Sequence, residues 1–472
     1  MHTFLWHDYE TFGKNTRTAR PAQFAAIRTD ENLNEISAPL ELFCQPAPDF
    51  LPEPEACLIT GITPQQCLRV GVPEYQFAEQ IFQALSQTNT IGVGYNTIRY
   101  DDEITRFMFW RNLIEPYSRE WQNGCGRWDL IDLARVTYAL RPEGIHWPRN
   151  EQGNVSFKLT ALTEANGIAH EAAHDAVSDV RATIALAKLL RDKQPKLFDF
   201  YFKLRSKDNV SAEIGLGTRK PFLHLSSMYP AERAHLALVF PLGVHPTNKN
   251  EIMVWDCAFD PSELFTLDAA AIQQRMFTRS DELPDGVTRL PIKTIHLNKS
   301  PVVIRDLRVL NAAAQERCQL DLALNQQHAA MLAQRVGELD AGVWKQVFQR
   351  EFDAGDVDES LYSGFVGNND RNLLNRLRKL DPDTLAKERP RFTDARLPEL
   401  LFRYRARNFP DSLNEQEFER WQTHCAARLH DGAGGALSLD AFFAQLEQLA
   451  QGEGANLTLL HELNDYAQMI AP

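Results

Sequence analysis

A chain of 472 residues with an apolar fraction of 44% and a charged fraction of 24% has the composition of a globular protein, not a disordered or fibrous one, and is long enough for two to four domains. No apolar run approaches the ~18 residues that span a bilayer, no basic leader with an apolar segment opens the chain, and seven scattered cysteines without a Cys-x-x-Cys pair argue against a disulfide framework and a zinc ribbon. The expectation is a cytoplasmic protein with reduced thiols and no membrane partner. A net charge of −13 argues against a generally basic, nucleic-acid-binding surface. Residues 371–407, however, hold eleven Lys/Arg against five Asp/Glu, so a basic groove is compatible with an acidic whole.

Residues 1 to about 45 read as a β-meander with strands at 4–9, 23–29 and 40–45. Pro46, Pro48, Pro52 and Pro54 break regularity, and Thr60-Gly61-Ile62-Thr63-Pro64 turns the chain into a helix with Pro64 at its first position. Helical spacing over 74–86 puts Phe77, Ile81, Phe82 and Leu85 on one side. A short strand with two glycines follows at 90–96. The next helix runs from Asp101, at or beside its N-cap, to about 112. Further helices are predicted at 128–140, at 156–166 before Gly167, and at 175–193 before Gln194-Pro195.

From about 200 the texture changes. Alternating strands at 222–226, 236–243, 251–257 and 292–297 predict a small barrel or open sheet, decorated by helices at 261–277 and 312–335. Beyond 340 the chain is almost wholly helical, at 343–352, 370–380, 396–408, 415–429, 437–451 and 457–470. The predicted architecture is an α/β domain over 1–195, a small β-barrel domain with added helices over 196–340 and an all-α domain over 341–472. No repeat of fixed period is visible.

Chemistry concentrates in five residues. Asp8 and Glu10 end an apolar strand two residues apart, so their side chains share a face. Two carboxylates held that close repel unless a cation lies between them or one takes a proton. Asp101 opens a helix. In Ala173-His174-Asp175-Ala176-Val177-Ser178-Asp179, Asp175 suits an N-cap, which leaves His174 in the preceding loop and Asp179 in the first full turn. Each piece alone has an ordinary reading, as a solvated strand edge, a helix-start acid or a surface histidine. In this order and spacing, coincidence becomes improbable.

Asp8-x-Glu10, Asp101 and His174-x4-Asp179 resemble the three motifs of the DEDD exonuclease superfamily, in its histidine-bearing branch with a ribonuclease-H-like fold. Residues 7–13 (HDYETFG), Gly94-Tyr95-Asn96 with Asp101-Asp102-Glu103, residues 138–145 (YALRPEGI) and residues 404–410 (YRARNFP) are similar to the bacterial exonuclease I family, as is the order of parts: exonuclease domain, SH3-like barrel, helical domain. The likeness covers nearly the whole chain and is weakest over 427–458. It implies a processive 3′→5′ exodeoxyribonuclease that degrades single-stranded DNA to 5′-mononucleotides in DNA repair and recombination. Asp8, Glu10, Asp101 and Asp179 would hold two Mg²⁺ ions, with Mn²⁺ as an alternative. His174 would take the proton from the attacking water.

The resemblance also implies strand contacts at Glu10, Thr11, Phe12, Arg106, Tyr117, Trp121, Arg135 and Lys158, and a monomer that docks the acidic tail of single-stranded-DNA-binding protein, with Arg141 a candidate. Trp121 as core and Arg135 as a surface ion pair are the structural alternatives. The basic stretch 371–407 could close the groove. Two rival functions remain at this level: a DEDD exoribonuclease, and a non-catalytic single-strand-binding protein on the same fold.

Overall fold

The computed structural model describes residues 2–170, 175–339, 341–349 and 355–471. They form two compact units, one of Met1–Gly126, His170–Arg181 and Phe352–Pro472, the other of Arg127–Ala169 and Ala182–Glu351.

The first unit is organised around β1 (Thr3–Thr11), which pairs antiparallel with β2 (Pro21–Thr29) on one side and parallel with β4 (Thr90–Gly94) on the other. β3 (Leu40–Phe43) extends β2, so the order is β3-β2-β1-β4. A strand enclosed this way is buried on both faces, which is why residues 4–7 are all buried and do not alternate. Two short helices, α1 (Pro54–Thr60) and α2 (Pro64–Val70), each begin with proline. α1 was not anticipated: Pro54 looked like a breaker, yet its fixed φ and missing N–H suit a first helical turn. α3 (Glu74–Leu85) lays Phe77, Ala78, Ile81 and Leu85 against Leu5, Tyr9 and Phe24 of the sheet and against Ile104, Met108 and Phe109 of α4 (Asp101–Arg111).

In the second unit β5 (Gly126–Asp129) leads into α5 (Leu130–Leu140), capped by Asp129, whose side chain accepts from Ile131 N at 3.1 Å. The helix predicted from 128 therefore starts two residues later. Trp128 is extended and fully buried against Phe198, Tyr201 and Phe202. α6 (Leu159–Ala165) is shorter than predicted, because Val155 bridges to Arg149 and Lys158 is its extended N-cap. α7 (Ala176–Lys193), whose first turns to Arg181 belong to the first unit, begins as expected: Asp175 Oδ2 accepts from Ser178 N at 2.9 Å. Pro195 does not only end α7 but starts α8 (Pro195–Lys203), and α9 (Lys207–Ile214) follows.

The antiparallel sheet runs β10-β6-β7-β8-β9, from β6 (Phe222–Leu225), β7 (Leu236–Val244), β8 (Glu251–Asp256), β9 (Ile292–His296) and β10 (Val302–Ile304), with a register slip between Pro241 and Gly243. Its helices are α10 (Ala269–Phe277), α11 (Ala312–Arg317), α12 (Leu322–Arg335) and α13 (Ala341–Val347). The helix predicted over 312–335 is two, because Asp321 caps a fresh start by accepting from Leu324 N at 3.0 Å.

The remaining helices, α14 (Asn368–Leu377), α15 (Pro382–Lys387), α16 (Leu397–Asn408), α17 (Glu415–Asp431), α18 (Leu439–Ala450) and α19 (Leu457–Ile470), belong to the first unit. Phe12, Ala22, Cys57 and Cys67 share one core with Leu429, Phe442, Leu446 and Leu463. Beside it lies a buried ionic cluster. Arg407 Nη2 donates to Asp49 at 2.7 Å and to Asp358 at 2.5 Å, and Arg20 Nη2 donates to Asp358 at 3.2 Å. Arg403 donates to Asp356 at 2.6 Å, and Arg428 to the Asp49 carbonyl at 3.1 Å.

Within 371–407 part of the basic charge is paired. Arg376 pairs with Glu388, Arg378 with Glu79, Arg396 with Asp394 and Arg405 with Glu417, as Arg403 and Arg407 do with their aspartates. Six of the eleven basic side chains are thus ion-paired, while Lys379, Lys387, Arg389 and Arg391 are exposed.

Candidate active site

The end of β1 carries the site. Asp8 and Glu10 stand on one face, opposite Ala25 and Gln23 of β2, and the β1–β2 register slips immediately after Glu10. Such a slip re-aims side chains at a strand end. Asp179, from the first turn of α7, meets them: one carboxylate oxygen from each of Asp8, Glu10 and Asp179 lies within 4.8 Å of the others. The partners the sequence separates by about 170 positions thus converge, and both belong to the first unit.

Asp101 is the first residue of α4, and its Oδ1 accepts from Tyr9 N at 3.1 Å, between the two β1 carboxylates. It is not one of the three converging groups. Gly94 makes the approach possible. A Cβ there would sit 2.6 Å from the His7 carbonyl oxygen and 2.2 Å from Thr97 Cγ2, so only glycine lets the turn after β4 pass close to β1. Thr105 Oγ1 donates to the Asp101 carbonyl at 2.8 Å and lies 3.0 Å from the Tyr9 hydroxyl, tying α4 back to the strand.

Electrostatics follow from this crowding. Burial, then the charges of Asp8, Asp179 and Asp175, push the Glu10 carboxyl up to about 9. Burial and Asp179 raise Asp8, and burial followed by Asp8 raises Asp101 well above its ordinary value. Acids so placed keep protons unless a cation replaces them. An all-oxygen donor set that gains its charge only with a counter-ion fits a hard divalent cation.

His174 lies outside the described residues. His170, which the sequence reading did not single out, places Nε2 against Asp179 Oδ1, with its side chain 6% exposed. The one sequence signal for it was a second histidine four positions before His174 in the same connection.

The predicted strand contacts divide. Thr11 is buried, and its Oγ1 donates to the Gly13 carbonyl at 2.8 Å and lies 2.6 Å from the Tyr100 hydroxyl. The Phe12 ring is 1% exposed inside the core shared with the C-terminal helices, so the ring is covered and any strand contact at Phe12 falls to its backbone. Arg106 is buried and engaged. It forks to Glu120 at 2.7 and 2.9 Å, reaches Glu103 at 2.7 Å and lies 5.2 Å from the centre of the Tyr117 ring. Trp121 is 64% exposed, not core. Arg135 pairs with Asp132 at 2.7 Å, and its guanidinium lies 5.9 Å from the centre of the Phe157 ring. Lys158 is exposed at the start of α6.

Comparison with known proteins gives this arrangement a family. Residues 5–187 match the family model described as Exonuclease, 205–350 the Exonuclease I SH3-like domain and 355–470 the Exonuclease I C-terminal domain. Exodeoxyribonuclease I of Haemophilus influenzae is 41% identical over 468 residues, covering 98% of each chain. Exonuclease I of the moderate thermophile Methylocaldum szegediense superposes with a TM-score of 0.94 at 46% identity, over 100% of both chains. Escherichia coli exonuclease I in complex with a dA16 oligonucleotide does so with a TM-score of 0.94 at 40% identity, again over 100% of both. With its carboxylates gathered at the end of β1 and its three parts in matching order, the chain belongs to the exodeoxyribonuclease I family and is a nuclease.

Proposed function

We propose that the protein removes nucleotides one at a time from the 3′ end of single-stranded DNA, releasing 5′-mononucleotides processively, in DNA repair and recombination. The observation that carries this reading is the convergence of Asp8, Glu10 and Asp179 oxygens within 4.8 Å of one another. The single-strand preference rests on the relatives, one of which has been solved with dA16 bound.

A phosphodiester resists hydrolysis because its anionic oxygens repel nucleophiles and neutral water is a poor one. Asp8, Glu10 and Asp179, with Asp101 alongside, would hold two Mg²⁺ ions, or Mn²⁺, which supply an acidified water and neutralise charge on the phosphate and the leaving 3′ oxygen. Glu10 must release its proton for this set to form. Tyr9 N, bonded to Asp101, holds the set on the rigid strand. His174, on the connection before α7, accepts the proton of the attacking water. Trp121 and Tyr117 offer ring faces to bases, and Lys158 and Arg135 offer charge to phosphates. Arg106 acts through the Tyr117 ring that it underlies.

The functional division we assign is 1–195, 196–340 and 341–472, in a cytoplasmic monomer. Arg141, whose Nη1 donates to the Val309 carbonyl at 3.0 Å, marks the patch where the acidic tail of single-stranded-DNA-binding protein would dock. The test is digestion of a labelled DNA single strand beside its duplex and beside the same sequence in RNA, with and without chelator. Chelator-sensitive release of 5′-mononucleotides from the 3′ end of the DNA single strand is expected. Faster turnover of RNA, or release that survives chelation, would overturn the reading.

A further inference from the structure

The end of β1 is gripped from the start of α4 on both sides of Glu10. On one side Asp101 Oδ1 accepts from Tyr9 N at 3.1 Å. On the other, the residue before it, Tyr100, reaches past Glu10: its hydroxyl lies 2.6 Å from Thr11 Oγ1 and donates to the Gly13 carbonyl at 3.0 Å. Thr11 Oγ1 donates to that same carbonyl at 2.8 Å. Two hydroxyl protons thus serve three mutual contacts, and the oxygens close into a triangle in which each is held by the other two.

Tyr100 is itself well seated. Its carbonyl accepts from Ile104 N at 3.0 Å, opening the helical ladder of α4, and its ring packs against the core that includes Tyr9, Phe77 and Ile104. The turn it holds is fastened a second time by Glu53, whose N donates to the Phe12 carbonyl at 2.8 Å and whose carboxylate accepts from Lys14 N at 3.2 Å. The need for such fastening lies in the sheet. The β1–β2 register slips between Glu10 and Thr11, so the regular ladder that orients the earlier residues of β1 is interrupted beside Glu10.

We propose that the Tyr100 hydroxyl is a positioning group for Glu10. By locking Thr11 and Gly13 it makes up for the pairing lost at the slip, and holds the Glu10 carboxylate where it meets Asp8 and Asp179 around a divalent cation. This rests on the metal-dependent nuclease reading above. Losing a group that orients a metal ligand, while the ligand itself stays, typically weakens metal binding or activity by about 10–100-fold. A single neutral hydroxyl belongs at the low end of that range.

The test is Mg²⁺ titration of the full chain, followed both by the rise in melting temperature without substrate and by nucleotide release from dT16. It compares wild type, Tyr100→Phe, Thr11→Val and the double variant. Tyr100→Phe keeps the ring and loses one oxygen, so it should melt with wild type in chelator. It should need about tenfold more Mg²⁺ for the same thermal shift and for half-maximal release, with the rate returning towards wild type at saturating Mg²⁺. Thr11→Val should do the same, and the double variant should be no worse than either single one, because both open the same triangle. A purely structural defect would instead lower the melt in chelator and leave the Mg²⁺ requirement alone. A wild-type Mg²⁺ requirement in Tyr100→Phe, or losses that multiply in the double variant, overturns the role of Tyr100 while the nuclease reading stands. A wild type whose melt and release ignore both Mg²⁺ and Mn²⁺ overturns both.

Discussion

Crowding of carboxylates at the end of β1 has a thermodynamic signature that can be read without any substrate. In the folded chain Glu10 keeps its proton up to about pH 9, whereas in the unfolded chain it gives the proton up near 4.5. Over that interval the folded state binds more protons, so stability falls as pH rises, by about 1.4 kcal/mol per pH unit for this one group. Between pH 5.5 and 7.5 the loss is about 3 kcal/mol, and the raised Asp8 carboxyl adds to it with the same sign. The buried ionic cluster does not confuse the measurement. Although burial alone would raise Asp49 and Asp358, Arg407 and its neighbours hold both well below the usual carboxylate range, so their contribution is complete above about pH 4 and is lost only in stronger acid. Thermal melts of metal-free protein should therefore drop by several degrees from pH 5.5 to 7.5. Mg²⁺ should recover stability with a dependence on concentration, about 2.7 kcal/mol at a hundredfold excess over Kd. Glu10→Gln should flatten the pH dependence, make the metal-free protein more stable than wild type at pH 7.5, and weaken the response to Mg²⁺. Parallel pH dependences for wild type and Glu10→Gln would refute the reasoning.

Three further perturbations test other parts of the structure. Asp49→Ala should cost about 3 kcal/mol, because Arg407 and Arg428 lose a fully buried partner; an unchanged denaturant midpoint would argue against the cluster as a stabilising contact. Gly94→Ala should cost about 1–3 kcal/mol and slow nucleotide release more than tenfold, since the added methyl overlaps the His7 carbonyl oxygen and displaces the turn that leads to Asp101; wild-type rates would show that the approach is not needed. Trp121→Ala should leave stability within about 0.5 kcal/mol and weaken single-strand binding about tenfold in a fluorescence-anisotropy titration; unchanged affinity would remove Trp121 from the strand's path.

Much of this was legible in the residues. The three strands of the meander, the helix at Glu74–Leu85 and the Asp175 cap announce themselves by patterns that are local in sequence. So does the pairing of Asp8 with Glu10, because strand geometry alone puts i and i+2 on one face. That Asp179 would join them could be inferred only from order and resemblance, since no local rule brings together residues so far apart. Prolines misled in both directions. Pro54 and Pro195 read as terminators, but each starts a helix, and the local residue pattern does not say whether a proline ends one element or begins the next. His170 was missed because a histidine in a loop has no signal until its partner is placed opposite it.

Charge was the least readable quantity, for a general reason. A run such as 371–407 shows a sign, while a ligand responds only to charge that remains unpaired at the surface. Arg407 finds Asp49 and Asp358, Arg378 finds Glu79, and Arg403 finds Asp356, partners that lie as much as 358 positions away along the chain. A guanidinium forked onto a buried carboxylate is fixed and neutralised, so it holds the helical region to the sheet instead of attracting phosphate. The aromatic groups behave in the opposite way. Trp121 and Phe365 could have been core by composition, yet both face water. An exposed ring face such as that of Trp121 is a kind of contact that every base in a moving strand can satisfy, whatever the net charge around it.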